Sequence, residues 1–354
     1  MQARLPGRLC VKNIYNMNLK ESRYSKYALV REMLETPGVI RRFDPAEAGR
    51  FSKHPEQNKS LFLTGEGSSR IFPAKRMIYD LLRRGSSLRA FTDGATQALE
   101  YKLDNFSVFG ASNSGQTKEV IRLFEKLDKE GHKSLFGLTA NKDTLLEKIA
   151  SDSHVLKCGR ENAVAATKSV IEQALFYDAL LHAYEGEKME GLDELAGQVS
   201  EAMTLKVDSS LSNTIKDADV IYFAGRNTGV AEELTLKTNE ITRKKSEFLE
   251  GTYGVHGIEE VMDSKEVLIW INPFPEEIDK FDECLVKGVG MNIIALAPRE
   301  TKFPTIVIPD GGKYSDYVEL AGGWNLLVET GISLGIDLDK PVRARKVGNE
   351  YTGS

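Results

Sequence analysis

The chain of 354 residues is poor in cysteine: Cys10, Cys158 and Cys284 stand far apart and form no C-x-x-C pair. That spacing argues against a disulfide framework and against a cysteine-based zinc site, and it suits reduced thiols in a reducing compartment. No apolar run approaches the roughly 18 residues that a membrane-spanning helix needs. The segment Met1 to Lys20 has no acidic residue and lacks the continuous apolar stretch of a secretory signal. Residues 1–24 therefore read as an N-terminal tail, or as sequence ahead of a start at Met17. An excess of positive charge is missing too: 47 Lys and Arg against 52 Asp and Glu give a net charge of -5. Such a balance gives no reason to expect a nucleic-acid partner. The expectation is a cytoplasmic protein that meets neither membrane nor nucleic acid.

The common nucleotide signatures are also absent. Gly65-Glu66-Gly67-Ser68-Ser69 follows an apolar run, but Arg70 stands where a dinucleotide fingerprint has its third glycine. No Walker lysine follows that turn or the turn Gly225-Arg226-Asn227-Thr228-Gly229. No metal-ligand cluster is seen, and no cofactor is expected.

What is present is an alternation of short β-branched or aromatic runs with amphipathic helices, the pattern of a parallel α/β fold. Strands are expected at Ser60–Thr64, near Leu88–Phe91, and at Phe106–Phe109, Ser134–Leu138 and His154–Leu156. Helices follow each turn, the last of them over Ala163–Tyr184. After the Gly- and Glu-rich stretch Glu185–Leu195 the pattern restarts. Further strands are expected at Val220–Ala224, Val267–Ile271, Ile293–Leu296 and Ile306–Ile308, and a closing helix at Val318–Leu334. Length alone gives a prior of about two domains. The division expected is 25–190 and 200–340, each a doubly wound, flavodoxin-like parallel sheet flanked by helices, with 341–354 as a C-terminal tail. Ligands of such sheets sit beyond the carboxyl ends of the strands at a topological switch point.

Ser112-Asn113-Ser114-Gly115-Gln116-Thr117 lies at such a point, between a buried strand and a helix. Unpaired backbone N–H groups and the helix dipole favour an anion there. Hydroxyls and amides bind a phosphate dianion without burying several cations, and Gly115 lets the backbone come close. A simple N-cap would account for one hydroxyl. It does not account for three with a glycine among them.

The pattern Ser-x-Ser-Gly-x-Thr resembles the phosphosugar loop of the sugar isomerase (SIS) domain family. Gly159-Arg160-Glu161-Asn162-Ala163-Val164-Ala165-Ala166-Thr167-Lys168 resembles a second segment of that family. Glu233-Leu234-Thr235-Leu236-Lys237-Thr238-Asn239-Glu240 is similar to its E-x-x-x-K-x-x-E helix. His256 falls where the family has its ring-opening histidine, and Asp337 to Val347 resembles the C-terminal segment whose lysine enters the active site. The resemblance runs from about residue 25 to the C-terminus, and the motifs keep the family's order. It implies two tandem SIS domains, usually in a homodimer, acting on a phosphosugar. It also implies Glu240, His256 and Lys346 as catalytic, and Ser69, Ser112, Asn113, Ser114 and Thr117 as phosphate-binding. Gly67, Ser68, Glu161, Val164 and Ala166 would line the sugar.

Those residue types fit aldose–ketose chemistry. One carboxylate over the C1–C2 face can carry the proton through a planar enediol or enamine. A histidine, whose ordinary pKa lies near neutrality, can open the ring. A lysine can polarise the carbonyl or form a Schiff base. Without the resemblance, Glu233, Lys237 and Glu240 read as a solvated helix face, and His256 as a loop histidine. The sequence departs from the family around His256, where Thr252-Tyr253-Gly254-Val255-His256-Gly257-Ile258 lacks the usual glutamate and proline. No glutaminase sequence precedes the first motif. The activity expected is isomerisation with deamination of an amino-hexose 6-phosphate. A deglycase of an amine-linked sugar phosphate, a plain isomerase and a non-catalytic phosphosugar sensor stand as alternatives.

Overall fold

The computed structural model describes residues 17–343 and 350–352. Helices α1 (Ala28–Leu34) and α2 (Thr36–Arg42) lead into β1 (Ser60–Gly65), α3 (Ile71–Arg84), β2 (Arg89–Gly94) and β3 (Ser107–Ala111). Then come α4 (Lys118–Lys129), β4 (Leu135–Thr139), β5 (Asp152–Val155) and α5 (Lys168–Glu185). The second half runs α6 (Leu192–Thr204), β6 (Val220–Gly225), α7 (Val230–Thr242), β7 (Lys245–Glu250) and β8 (Val267–Ile271). It ends with β9 (Asn292–Ala297), β10 (Thr305–Val307) and α8 (Ser315–Ser333). Shorter helical turns lie among them.

The strands form two five-stranded sheets, ordered β2-β1-β3-β4-β5 and β10-β9-β8-β6-β7, with every pairing parallel. Counted within its own half, each sheet has the order 2-1-3-4-5, which is the flavodoxin-like doubly wound order. The alternation of side chains along each strand sorts them between two faces. Leu61 and Leu63 of β1, with Ile221 and Phe223 of β6, enter one core that runs through both halves. Phe62 and Val108 face a separate cluster against α4. Tyr222, Leu268 and Trp270 face another on the far side of the second sheet. Helices α5 and α8 are buried along nearly their whole length and belong to the shared core.

Most expected elements lie within a few residues of their observed bounds, and three departures have physical causes. The helix expected from Ala163 begins at Lys168, because residues up to Thr167 form an irregular segment held by carboxylates. Strand β7 is absent from the sequence reading. It is a largely exposed edge strand whose Lys245, Glu247 and Glu250 hide the apolar signal. The helix Ser209–Asp217 was likewise not read, since only Ser212 and Ile215 of it are buried.

A charged cluster locks the two halves. The guanidinium of Arg76 on α3, 2% exposed, pairs with Asp178 on α5, lies 3.7 Å from Asp316 on α8, and sits 4.6 Å from the centre of the Tyr317 ring. The Tyr317 hydroxyl donates to the other oxygen of Asp178 at 2.7 Å. Removing one partner of a buried pair leaves the other charged and uncompensated, at a cost of about 3–5 kcal/mol. Arg76→Met is expected to lose roughly that much unfolding free energy in urea titration. Lys287→Ala, whose side chain is 68% exposed, should change little.

Burial pushes the Glu319 carboxyl on α8 up to about 8, with Asp316 adding to the effect. The folded state thus keeps a proton that the unfolded chain has lost. Stability from this group is full below the ordinary carboxylate range and is lost as pH rises through about 8. Glu319 accepts from Asn272 Nδ2 at 2.9 Å, a bond that glutamine can also make. Glu319→Gln is therefore expected to flatten the fall of the thermal midpoint between about pH 5 and pH 8.5, with its advantage over wild type greatest at the alkaline end.

Candidate active site

A cavity of about 840 Å³ opens at the carboxyl ends of the first sheet's strands. Its floor is the loop after β3, where the chain leaves a fully buried strand and enters α4. The Ser112 hydroxyl lies 2.7 Å from that of Thr117 and accepts the Thr117 N–H at 3.3 Å. The Ser114 hydroxyl accepts the Gln116 N–H at 3.1 Å. Ser114, Gln116 and Thr117 line the cavity, whereas Ser112, 1% exposed, lies behind them and shapes the turn. The Asn113 side chain is turned inward: it donates to Ser169 at 2.7 Å and accepts from Gln173 at 2.8 Å.

Gly115 is required here on two counts. Its φ is +66°, in the left-handed region, and a Cβ would overlap the Thr144 side chain. Thr144 belongs to the loop after β4, so the glycine lets two loops of the cavity close on each other.

The loop after β1 forms a wall, with Glu66, Gly67, Ser68 and Ser69 lining the cavity. The Glu66 carboxylate accepts the Ala95 N–H at 3.1 Å, and burial raises its pKa. A second wall is the segment 159–166, of which Glu161, Val164 and Ala166 line the space. Glu161 also accepts the Thr167 N–H at 2.8 Å and the Ser169 hydroxyl, so its carboxylate closes the start of α5.

Helix α7 comes from the second half and brings Leu236 and Glu240 to the cavity. Behind them Lys237, fully buried, donates to Glu240 at 2.7 Å and to the Ser68 hydroxyl at 2.7 Å, and lies 3.3 Å from Glu233. Burial by itself would lower the Lys237 pKa, but Glu240 and Glu233 outweigh it and hold the ammonium charged. Burial raises the pKa of Glu233, opposed by Lys237. The helix face that the sequence alone reads as solvated is therefore an interior ion cluster.

One chain thus brings together Gly67, Ser68, Ser69, Asn113, Ser114, Thr117, Glu161, Val164, Ala166 and Glu240 around a single cavity. Ser112 supports it from beneath. His256 is not among the lining residues. It lies exposed after a short 3-10 turn, its N–H bonded to Tyr253 O at 3.1 Å. Lys346 lies outside the described residues. The sequence reading names Lys237 and Glu66 within their motifs without giving either a role in the site, and it does not single out the loop after β4, residues 140–144. That loop follows the neighbour of β3 in the sheet, which is the signal that could have found it. It also missed Glu350, which pairs with Thr117 in an antiparallel bridge and lines the cavity. Among the described residues, no group of three or more His, Cys, Asp or Glu could hold a metal, and no helix is long and apolar enough to cross a membrane.

Gly115→Ala is expected to cost about 1–2 kcal/mol for the left-handed backbone, and more for the overlap with Thr144. Thermal denaturation should show the loss. A Gly115→Ala/Thr144→Gly double variant should recover the steric part and not the backbone part.

No protein-family model matches the chain. Among curated proteins, the isomerizing glutamine–fructose-6-phosphate aminotransferase of Aeropyrum pernix is 23% identical over 258 residues. That match covers 66% of this chain and 42% of that protein, so the chain spans less than half the length of the curated relative. Among solved structures, the C-terminal domain of glucosamine-fructose-6-phosphate aminotransferase from Francisella tularensis superposes with a TM-score of 0.75 at 18% identity. It covers 91% of this chain and 100% of that one. Glucosamine-6-phosphate deaminase from Thermotoga maritima gives a TM-score of 0.70 at 21% identity, covering 92% and 99%. The resemblance to the sugar isomerase family is seen in both sequence and fold.

Proposed function

We propose that the chain is a phosphosugar isomerase and deaminase that converts an amino-hexose 6-phosphate to a ketose phosphate and ammonia. The observation that carries this reading is the meeting, in one cavity, of the Ser-x-Ser-Gly-x-Thr loop and Glu240. The repeated strand order supports two tandem SIS domains, the first carrying the anion loop and the second the carboxylate.

The sugar phosphate sits with its phosphate on the Ser114–Thr117 turn and the start of α4, where the turn's hydroxyls and the helix dipole favour an anion. The reacting carbons then lie toward Glu240 and Ser68. Once the ring is open, Glu240 removes the C2 proton to give an enolamine and returns a proton to C1. The product is the C2 imine of the ketose. Water adds to that imine and expels ammonia, so one water is consumed for each ammonia released. Lys237, 2.7 Å away, holds the Glu240 carboxylate in place. His256 is the ring-opening group in this reading, and its position outside the cavity fits delivery from a second copy of the chain in a homodimer. Lys346 is the group that polarises the carbonyl.

A second reading, a deglycase of an amine-linked sugar phosphate, draws on the size and lining of the cavity. Its volume lies toward the upper end of the usual range for ligand sites of roughly 300–1,000 Å³. Glu66 and Glu350 line it in addition to Glu240, and they suit a cationic substituent.

The test is ammonia and ketose phosphate release from glucosamine 6-phosphate, galactosamine 6-phosphate, their N-acetyl forms and fructoselysine 6-phosphate. Ammonia matched one-to-one by ketose phosphate is the expected outcome. Glu240→Gln should lower kcat by about 10²–10⁴-fold, the usual worth of a general base, with little change in binding. Turnover of fructoselysine 6-phosphate alone would move the reading to the deglycase. Tight binding with no turnover of any compound would sink both.

A further inference from the structure

Helix α1 lines no part of the cavity, yet it holds one of its walls. The Glu32 carboxylate, 5% exposed, accepts the Asn162 N–H at 2.5 Å, the Asn162 Nδ2 at 3.2 Å and the Ala163 N–H at 3.1 Å. One turn further along, Glu35 takes the Lys168 ammonium at 2.5 Å, at the far end of the same segment. Between these two grips, Ala163 and Ala165 are 0% and 2% exposed, while Val164 and Ala166 line the cavity. The segment alternates inward and outward, so a slip of one residue would turn the cavity-facing pair into the core. Hydrogen bonds from two successive backbone N–H groups to one carboxylate are charge-assisted and fix that register.

The helix that carries Glu32 is itself fixed from the far end of the chain. Asp339 accepts the Ala28 N–H at 2.6 Å and the Leu29 N–H at 2.9 Å, capping the start of α1. The Tyr27 hydroxyl donates to Ile336 O at 3.2 Å beside it. A continuous set of bonds therefore runs from the end of the second half, through α1, to the wall facing the ligand.

We propose that Glu32 is a positioning residue: it sets the register of residues 162–166 and thereby the backbone that a phosphosugar meets. This rests on the phosphosugar reading above. A merely structural carboxylate would affect stability alone, whereas a register-setting one affects ligand binding in the folded protein.

The experiment compares wild type with Glu32→Gln, Glu35→Gln and Asp339→Asn. It reads KM and kcat on whichever phosphosugar of the panel turns over, and hydrogen exchange of the amides of residues 162–166. Glu32→Gln presents an amide donor toward the same N–H groups. It should raise KM on the order of 10-fold or more, with a smaller effect on kcat and faster exchange confined to this segment. Asp339→Asn should act in the same direction and more weakly. Unchanged KM and exchange in folded Glu32→Gln would overturn the proposal. If that variant does not fold, unchanged KM in both Glu35→Gln and Asp339→Asn would do so. Failure of wild type to bind any phosphosugar would instead defeat the functional reading, and exchange at 162–166 would still decide whether Glu32 holds the segment.

Discussion

The site depends on one buried ammonium. Lys237 Nζ has no exposure to solvent, and a charge in that position is strongly unfavourable unless it is paired and hydrogen-bonded. Its partners come from two places. Glu233 and Glu240 are on its own helix, at i−4 and i+3, and Ser68 is on the loop after β1 of the other sheet. Satisfying the ammonium therefore fixes α7 of the second half against the first half's loop. Two carboxylates also compete for one cation. The fully buried one, Glu233, has its pKa raised by burial. Glu240, with 21% of its side chain exposed, is the one that reaches the cavity.

The walls around that cluster are rigid for separate reasons. The shared core and the Arg76–Asp178–Tyr317 cluster hold α3, α5 and α8 together, so the strand ends that carry the loops cannot shift independently. The loops themselves are closed by short polar contacts. Ser112 braces Thr117, Asn113 is tied to Ser169 and Gln173, and Gly115 packs against Thr144. A turn braced this way is held in place by its own hydroxyls and backbone.

The sequence made the architecture legible where the signal was local. Buried parallel strands read as apolar runs, and the Ser-x-Ser-Gly-x-Thr loop combined a glycine with three hydroxyls at a strand–helix junction. What it could not show was direction. Glu233, Lys237 and Glu240 have the spacing of a surface ion-pair ladder, and only packing against the other sheet turns that face inward. Strand β7 was missed because an edge strand with charges on its open side has no apolar run. Glu32 was missed because its partners lie 130 and 131 residues away, and no local pattern marks a carboxylate that will accept backbone N–H groups at that distance.

The two sheets share a strand order but not a chemistry, and the second half shows why. At the corresponding switch point, the residue after β8 is Asn272, with φ +44°. Its carbonyl accepts from Arg226 at 2.5 Å, its side-chain oxygen from Arg299 at 2.9 Å, and its amide donates to the buried Glu319. Arg226 also covers the ring of Phe274, 4.1 Å from its centre. The place that carries the Ser112–Thr117 turn in the first half is here occupied by the chain's own side chains, with both the oxygen and the nitrogen of Asn272's amide engaged. The second copy of the architecture contributes to the site from its other resource, helix α7 after β6, which projects across to the first sheet. The second half meets the cavity through Leu236 and Glu240, with the Lys237 ammonium behind them.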